Sequence, residues 1–211
     1  MHRYVLGALA LALTATPAVA QGWIEVERRP TQPPIQGSIS RVGSDVRVIV
    51  DGRIARVEVE ERFRNDGGRV AEGSYLYPLP GEAVFQNFSL WMGEQEMKGE
   101  MLTADQARGI YEEIVRRQRD PALLTLAGHG LVRAQVFPIQ PGETRKVVLR
   151  YTQLLERSGD AVRIRYALGQ RGGTAGSWRL TAAAEAGFGS PYSPTHTLTS
   201  DRSAGRLQVS L

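Results

Sequence analysis

Residues 103–151, TADQARGIYEEIVRRQRDPALLTLAGHGLVRAQVFPIQPGETRKVVLRY, hold the one clear helical pattern of the chain and two of its best strands. Thr103 and Gln106 form a capping box, in which the hydroxyl accepts from an orphan amide of the first turn and the glutamine reaches back. Such a cap contributes about 1 kcal/mol. Ala107, Ile110, Tyr111, Ile114 and Val115 follow at i, i+3, i+4, i+7 and i+8, which predicts one apolar stripe on an amphipathic helix. On the other face Arg108 pairs with Glu112, Glu112 with Arg116, and Glu113 with Arg117 at i,i+4. Arg116, Arg117 and Arg119 close the last turn, where cations suit the dipole, and Pro121 ends the pattern. A brief apolar segment over 122–126 and a Gly128-His129-Gly130 turn lead to a strand over 131–137. Pro138 and Pro141-Gly142 then separate it from a strand over 146–154, with Val147, Leu149 and Tyr151 on one face.

Upstream, residues 21–36 carry Pro30, Pro33 and Pro34 and read as an extended lead. From residue 37 the period becomes two. Val46, Val48 and Val50 alternate with polar neighbours up to an Asp51-Gly52 hairpin turn. In the next strand Val57, Val59 and Phe63 point one way, and Arg56, Glu58, Glu60 and Arg62 the other. Glu61 interrupts the apolar face, so it either meets a buried arginine such as Arg150 or is turned outward by a bulge. Residues 65–68, NDGG, and Pro80-Gly81 mark further turns. The strand over 84–92 is apolar enough on both faces to be central, and 93–101 reads as its hairpin return. Beyond 156 the texture loosens, with strands over 162–167, 178–182 and 207–211 separated by glycine-, serine- and threonine-rich joins.

The expected fold is mainly β: an antiparallel β-sandwich or barrel-like fold with one amphipathic helix packed on it. Four segments are expected: a signal peptide over 1–20, the lead over 21–36, a domain over 37–157 and a β extension over 158–211. Because Leu207, Val209 and Leu211 alternate up to the last residue, the chain is expected to be the N-terminal part of a longer protein.

Arg3, the apolar run over 5–13 and the Ala18-Val19-Ala20 cleavage pattern read as a secretory leader. The run is too short and too interrupted for a spanning helix. Cysteine is absent, which excludes disulfides, thiolate metal sites, a cysteine nucleophile and a lipobox anchor. An exported protein, periplasmic, cell-surface or extracellular and not membrane-spanning, is therefore expected. The net charge of +4 comes from interspersed acids and bases, without the aromatic-basic interleaving that single-stranded nucleic acid needs, so no nucleic-acid partner is expected.

No residue group reads as catalytic, cofactor-binding or metal-binding. His129 lies between glycines and His196 follows Pro194-Thr195, neither with ligands at zinc spacing. Glu58 and Glu60 share a strand face as a glycosidase pair would, but Arg56 and Arg62 share it too, which favours a surface charge ladder. Ser89 and Ser193 have no base placed by pattern, no nucleophile elbow, phosphate loop or dinucleotide fingerprint occurs, and the Asn87-Phe88-Ser89 sequon falls inside a strand. Trp91 is expected in the core, whereas Trp23 and Trp178 suit carbohydrate if exposed. The candidate interaction surface is Arg116, Arg117 and Arg119, with Arg133 and Arg145 nearby, facing an acidic partner.

LYPLPGEAVFQNFSLWMG (76–93), KGEMLTADQARGIYEEIVRRQRDPALL (98–124) and VFPIQPGETRKVVLRYTQLL (136–155) together resemble the VIT domain, the vault protein inter-alpha-trypsin domain, in its bacterial exported form. The landmarks occur in order: Tyr77-Pro78-Leu79-Pro80, the helix signature from Ala107 to Tyr111, Phe137-Pro138-Ile139, Gly142-Glu143 and Leu149-Arg150-Tyr151. The resemblance implies a non-enzymatic protein-interaction module without cofactors, normally followed by a von Willebrand type A domain with a DxSxS metal site. Asp201-Arg202-Ser203-Ala204-Gly205 lacks the second serine, so no metal site is expected here. The expected partner is a protein, or a von Willebrand type A domain in cis beyond this chain. The alternative is a cell-envelope hydrolase or polysaccharide-binding β domain.

Overall fold

A computed structural model describes residues 23–26, 39–101, 123–126, 130–166, 177–185, 187–203 and 205–211. The predicted helix, with Arg116, Arg117 and Arg119, lies outside the described residues, among which there is no helix. Fourteen strands are described. The first six are β1 (Trp23–Val26), β2 (Ile39–Asp51), β3 (Ile54–Asn65), β4 (Ala71–Pro78), β5 (Val84–Met92) and β6 (Gln95–Met101). They are followed by β7 (Leu123–Leu126), β8 (Leu131–Ile139), β9 (Thr144–Leu154), β10 (Glu156–Ser158) and β11 (Ala161–Arg163). The last three are β12 (Ser177–Glu185), β13 (Thr199–Ser203) and β14 (Arg206–Ser210).

Twelve strands form one sheet in the order β1-β4-β8-β7-β6-β5-β9-β3-β2-β12-β14-β13, and β10 and β11 form a separate hairpin. The expectation of an antiparallel sandwich or barrel is corrected in two respects. The sheet is mixed, because β12 runs parallel to β2 and β7 parallel to β6. It is also not closed, since β1 and β13 end it. It curls over itself instead: Tyr75 of β4 meets Phe63 of β3 and Phe88 of β5, and Tyr77 meets Tyr151 of β9, though β4 is paired with none of these strands.

The core lies between the two halves of the curl, and alternation builds it. Val46, Val48 and Val50 of β2 and Val57, Val59 and Phe63 of β3 face inward with Val147, Leu149 and Tyr151 of β9. Tyr75, Tyr77, Val132, Ala134 and Ile139 of β4 and β8 cover them. Each buried valine, leucine, isoleucine or phenylalanine among them contributes about 1.5–3 kcal/mol. Leu180 of β12 enters the same cluster, and Trp178, Tyr166, Val162 and Ile164 pack against it, so the chain past residue 157 joins this core. The β2–β3 turn has Gly52 at φ 55, a left-handed backbone that costs glycine nothing.

Two other readings change. The strand before Gly142 continues through Pro138 to Ile139, because Pro138 lies outside the registered β4–β8 pairs Gly73–Val136 and Ala71–Ile139 and displaces no ladder hydrogen bond there. Residues 199–203 form β13, an exposed strand without apolar alternation and therefore without a sequence signal.

Candidate interaction surface

The outer face of the β2-β3-β9-β5 layer is built by register. Arg47 of β2 lies opposite Glu58 of β3, which lies opposite Arg150 of β9, which lies opposite Asn87 of β5. Arg150 donates from Nε to Glu58 at 2.7 Å and from Nη1 to Asn87 at 3.2 Å, and Arg47 donates to the other Glu58 oxygen at 2.8 Å. Partial burial pushes the Glu58 pKa up, but the Arg150 and then the Arg47 guanidinium outweigh it and hold the carboxyl below its usual range. In the next rows Glu60 is bonded by Arg62 and has Lys146 at 3.9 Å, while Asp45 meets Arg62 at 3.2 Å and Arg179 of β12 at 3.7 Å. The two carboxylates weighed as a glycosidase pair thus belong to the charge ladder. Lys146 Nζ sits 3.9 Å from the centroid of the Trp91 ring, a cation–π contact. Trp91 is half-buried under that lysine rather than in the core as expected; Phe88 and Leu90 of the same strand fill the core instead.

At the hairpin end of this face the ladder gives way to exposed apolar side chains. Ile49 lies opposite Arg56, Arg56 opposite Thr152, and Thr152 opposite Val84; Ile54 lies opposite Leu154 in the adjoining row. Ile49, Ile54, Val84 and Leu154 are 42%, 46%, 62% and 49% exposed. The sequence reading passed over this patch, although Ile49 and Ile54 occupy the same alternate positions as Arg47, Arg56 and Glu58, and this was the available signal.

On the inner face, Glu61 is wholly buried. Its arginine is Arg41, at 3.5 Å, and not Arg150, which faces outward to Glu58. A bulge between Arg41 and Gly43 shifts the register of β2, so that Arg41 turns inward although Ser44, Val46 and Val48 set the inward parity further along. Tyr75 donates its hydroxyl to Glu61 at 2.8 Å. Burial first, and then the Glu61 charge, raises the Tyr75 pKa far above that of a free phenol; burial likewise pushes Tyr151 up to about 12.

The remaining candidates disperse. Arg145 is buried and engaged with Glu143 and the Pro138 carbonyl, so it does not join a surface arginine group; Arg133 is exposed on β8. His129 lies outside the described residues. His196 is exposed, 2.8 Å from the Thr195 hydroxyl, with its ring 5.8 Å from that of Trp178. Ser89 is buried and donates to Glu96, while the exposed Ser193 accepts from the amides of Thr195 and His196. Among the described residues no three His, Asp or Glu side chains are grouped to hold a metal.

Searching the curated proteins finds no match. Among solved structures, a Legionella pneumophila protein described as nutrient binding is similar over 83% of this chain and 62% of its own, at 12% identity and a TM-score of 0.50. An M1 zinc metallopeptidase from Deinococcus radiodurans is similar over 83% of this chain and 39% of its own, at 13% identity and a TM-score of 0.44. This chain spans less than two thirds of either, and the first likeness concerns the fold alone. The family comparison reaches further: residues 42–151, which carry the Glu58 and Glu60 rows of the ladder, three of the four patch residues and the buried Glu61, match the vault protein inter-alpha-trypsin domain, and the chain belongs to the VIT family.

Proposed function

We propose that the chain is a non-enzymatic, exported protein-interaction module that docks a protein partner on the outer face of the β2-β3-β9-β5 layer. The observation that carries this reading is the patch of Ile49, Ile54, Val84 and Leu154, four exposed apolar side chains gathered at one end of a face otherwise lined by paired charges. Exposed apolar side chains set among polar and charged ones, here with Arg56 and Thr152 between Ile49 and Val84, suit a protein contact. The von Willebrand type A domain that accompanies this family is the first partner to test, and the leader over residues 1–20 takes the module out of the cytoplasm.

A separately expressed von Willebrand type A domain is titrated against the chain by calorimetry. Binding is expected to weaken at least tenfold in Ile54→Glu and Leu154→Glu, with the melting temperature unchanged. Binding that ignores both substitutions, or turnover of a cell-wall polysaccharide by the isolated chain, would overturn the reading.

A further inference from the structure

The charge ladder of the outer face is sorted by depth. Asp45 lies opposite Glu60, and Glu58 follows two residues along on the same face, so three carboxylates stand side by side. Arg179 of β12, Arg47 of β2, Arg62 of β3, and Lys146 and Arg150 of β9 surround them, each in an ion pair with one or two of the three. In every pair the cation is the more exposed member. The carboxylate side chains are between 15% and 27% exposed, the cationic ones between 30% and 71%. Arginine and lysine stems reach further from the sheet than aspartate or glutamate, so the heads form two layers with the cations outermost. The β10–β11 hairpin shows no such sorting: Asp160 is more exposed than its partner Arg157, and Glu156 lies between Arg163 and Arg165 in exposure.

Five cations over three carboxylates leave two positive charges in excess, and the excess lies in the outer layer. The neighbouring described pairs do not cancel it. Glu96 and Lys98, opposite Trp91 and Ser89, bring one charge of each sign, as do Asp51 and Arg56 at the hairpin end. The guanidinium groups are also held in place. Arg150 commits two of its five N–H donors to Glu58 and Asn87, and Arg47 commits one to Glu58, which leaves donors on the exposed side for a further acceptor. Groups already oriented lose less conformational freedom when a partner arrives. The cations span β12, β2, β3 and β9, with neighbouring strands about 4.8 Å apart.

We propose that this cationic layer is the charged half of the docking face and that it selects an acidic protein, one whose surface brings carboxylates to Arg47, Arg62, Arg150 and Arg179. This deepens, and rests on, the reading of the outer face as a protein contact. A protein fits better than an acidic polysaccharide because the ladder runs directly into apolar side chains: Ile49 lies two residues beyond Arg47 on the same face of β2, in the row of Val84. The occupant must therefore be acidic on one side and apolar on the other, which a folded protein surface supplies and a uronate chain does not. Exposed charge of this kind acts chiefly on the association rate and its salt dependence.

Two polymers test it by calorimetry against the chain, from about 20 mM to about 0.2 M salt: poly-L-glutamate, with carboxylates on a polypeptide, and polygalacturonate, with carboxylates on a polysaccharide. Poly-L-glutamate is expected to bind and to lose at least tenfold in affinity across that range. The double variant Arg47→Gln with Arg179→Gln is expected to weaken it at least tenfold at the lowest salt. Arg157→Gln with Arg163→Gln, on the β10–β11 hairpin, is expected to change nothing. All four side chains are exposed, so melting temperatures should hold in both variants. The proposal falls if poly-L-glutamate does not bind at the lowest salt, if the hairpin variant weakens it as much as the ladder variant, or if polygalacturonate binds more tightly. Failure of the docking reading looks different: Ile54→Glu and Leu154→Glu then leave the protein contact intact while the ladder variant still loses poly-L-glutamate.

Discussion

Tyr75 donates its hydroxyl to Glu61 at 2.8 Å between two strands that are not paired with each other, so the one buried carboxylate of the described core is bonded across the curl of the sheet. Arg41, brought inward by the β2 bulge, supplies the charge. Removing one partner of such a buried group costs more than the group contributes net, because the other is left desolvated. Glu61→Ala is expected to destabilise the fold by about 3–5 kcal/mol and Tyr75→Phe by about 1–3 kcal/mol. Urea unfolding of both variants and of the double variant measures this, with the double variant costing less than the sum.

Glu58 provides the acid-side prediction. Its folded pKa is depressed by Arg150 and Arg47 in spite of partial burial, so its contribution is present above the unfolded carboxylate pKa and lost as pH falls through the folded value. Arg150→Ala is expected to raise the Glu58 pKa and to remove part of the stability difference between pH 7 and pH 3. The loss at pH 7 is at most about 1 kcal/mol, since the pair is half-exposed, and should shrink at 1 M salt. A carboxylate titration by NMR with thermal melts at each pH provides the check.

The alkaline limit has the opposite sign. Burial raises Tyr75 and Tyr77 far above the ordinary phenol range and Tyr151 to about 12. Groups whose folded pKa is raised contribute stability below the unfolded pKa of about 10, and this is lost as pH rises towards the folded values. Tyrosinate absorbance from these three is expected to appear together with loss of near-ultraviolet circular dichroism, not before it, as pH passes 10 to 12.

Asn65 locks the turn between β3 and β4 to the turn between β8 and β9. Its side-chain amide donates to the carbonyls of Arg69 at 2.7 Å and Ile139 at 2.9 Å, and its side-chain oxygen accepts from the Gly67 amide. Its backbone is bonded to Gly142 and Glu143. Asn65→Asp keeps the shape but aims an acceptor at two buried carbonyls, so a loss of about 3 kcal/mol is expected, against about 2 kcal/mol for Asn65→Ala. Chemical denaturation of both variants tests the order.

Gly99 of β6 lies against Phe88, and a Cβ there would come within 3.0 Å of the Phe88 ring, which is itself wholly buried and in contact with Tyr75. Gly99→Ala is therefore expected to cost about 1–3 kcal/mol through overpacking. The companion change Gly68→Ala, where open space surrounds the position, is expected to be nearly neutral, and thermal melts of the two separate packing from glycine's chain entropy.

The period-two alternation of Val46, Val48, Val50, Val57, Val59, Phe63, Val147, Leu149 and Tyr151 determined by itself where the strands lie and which face is buried, because a half-buried strand needs every second side chain to be apolar. The order of turns and strand ends over residues 42–151 determined the family as well. Interleaved acids and arginines announced the ladder around Glu58 and Glu60. Pairing partners were decided only in three dimensions, since backbone hydrogen bonds carry no residue label. The parallel entry of β12 beside β2, the curl that sets Tyr75 on Glu61, and the gathering of Ile49, Ile54, Val84 and Leu154 join residues remote in the chain. Arg41 is the clearest case: one extra residue in β2 reverses its side, and nothing in the local pattern distinguishes a bulge from a continuing strand.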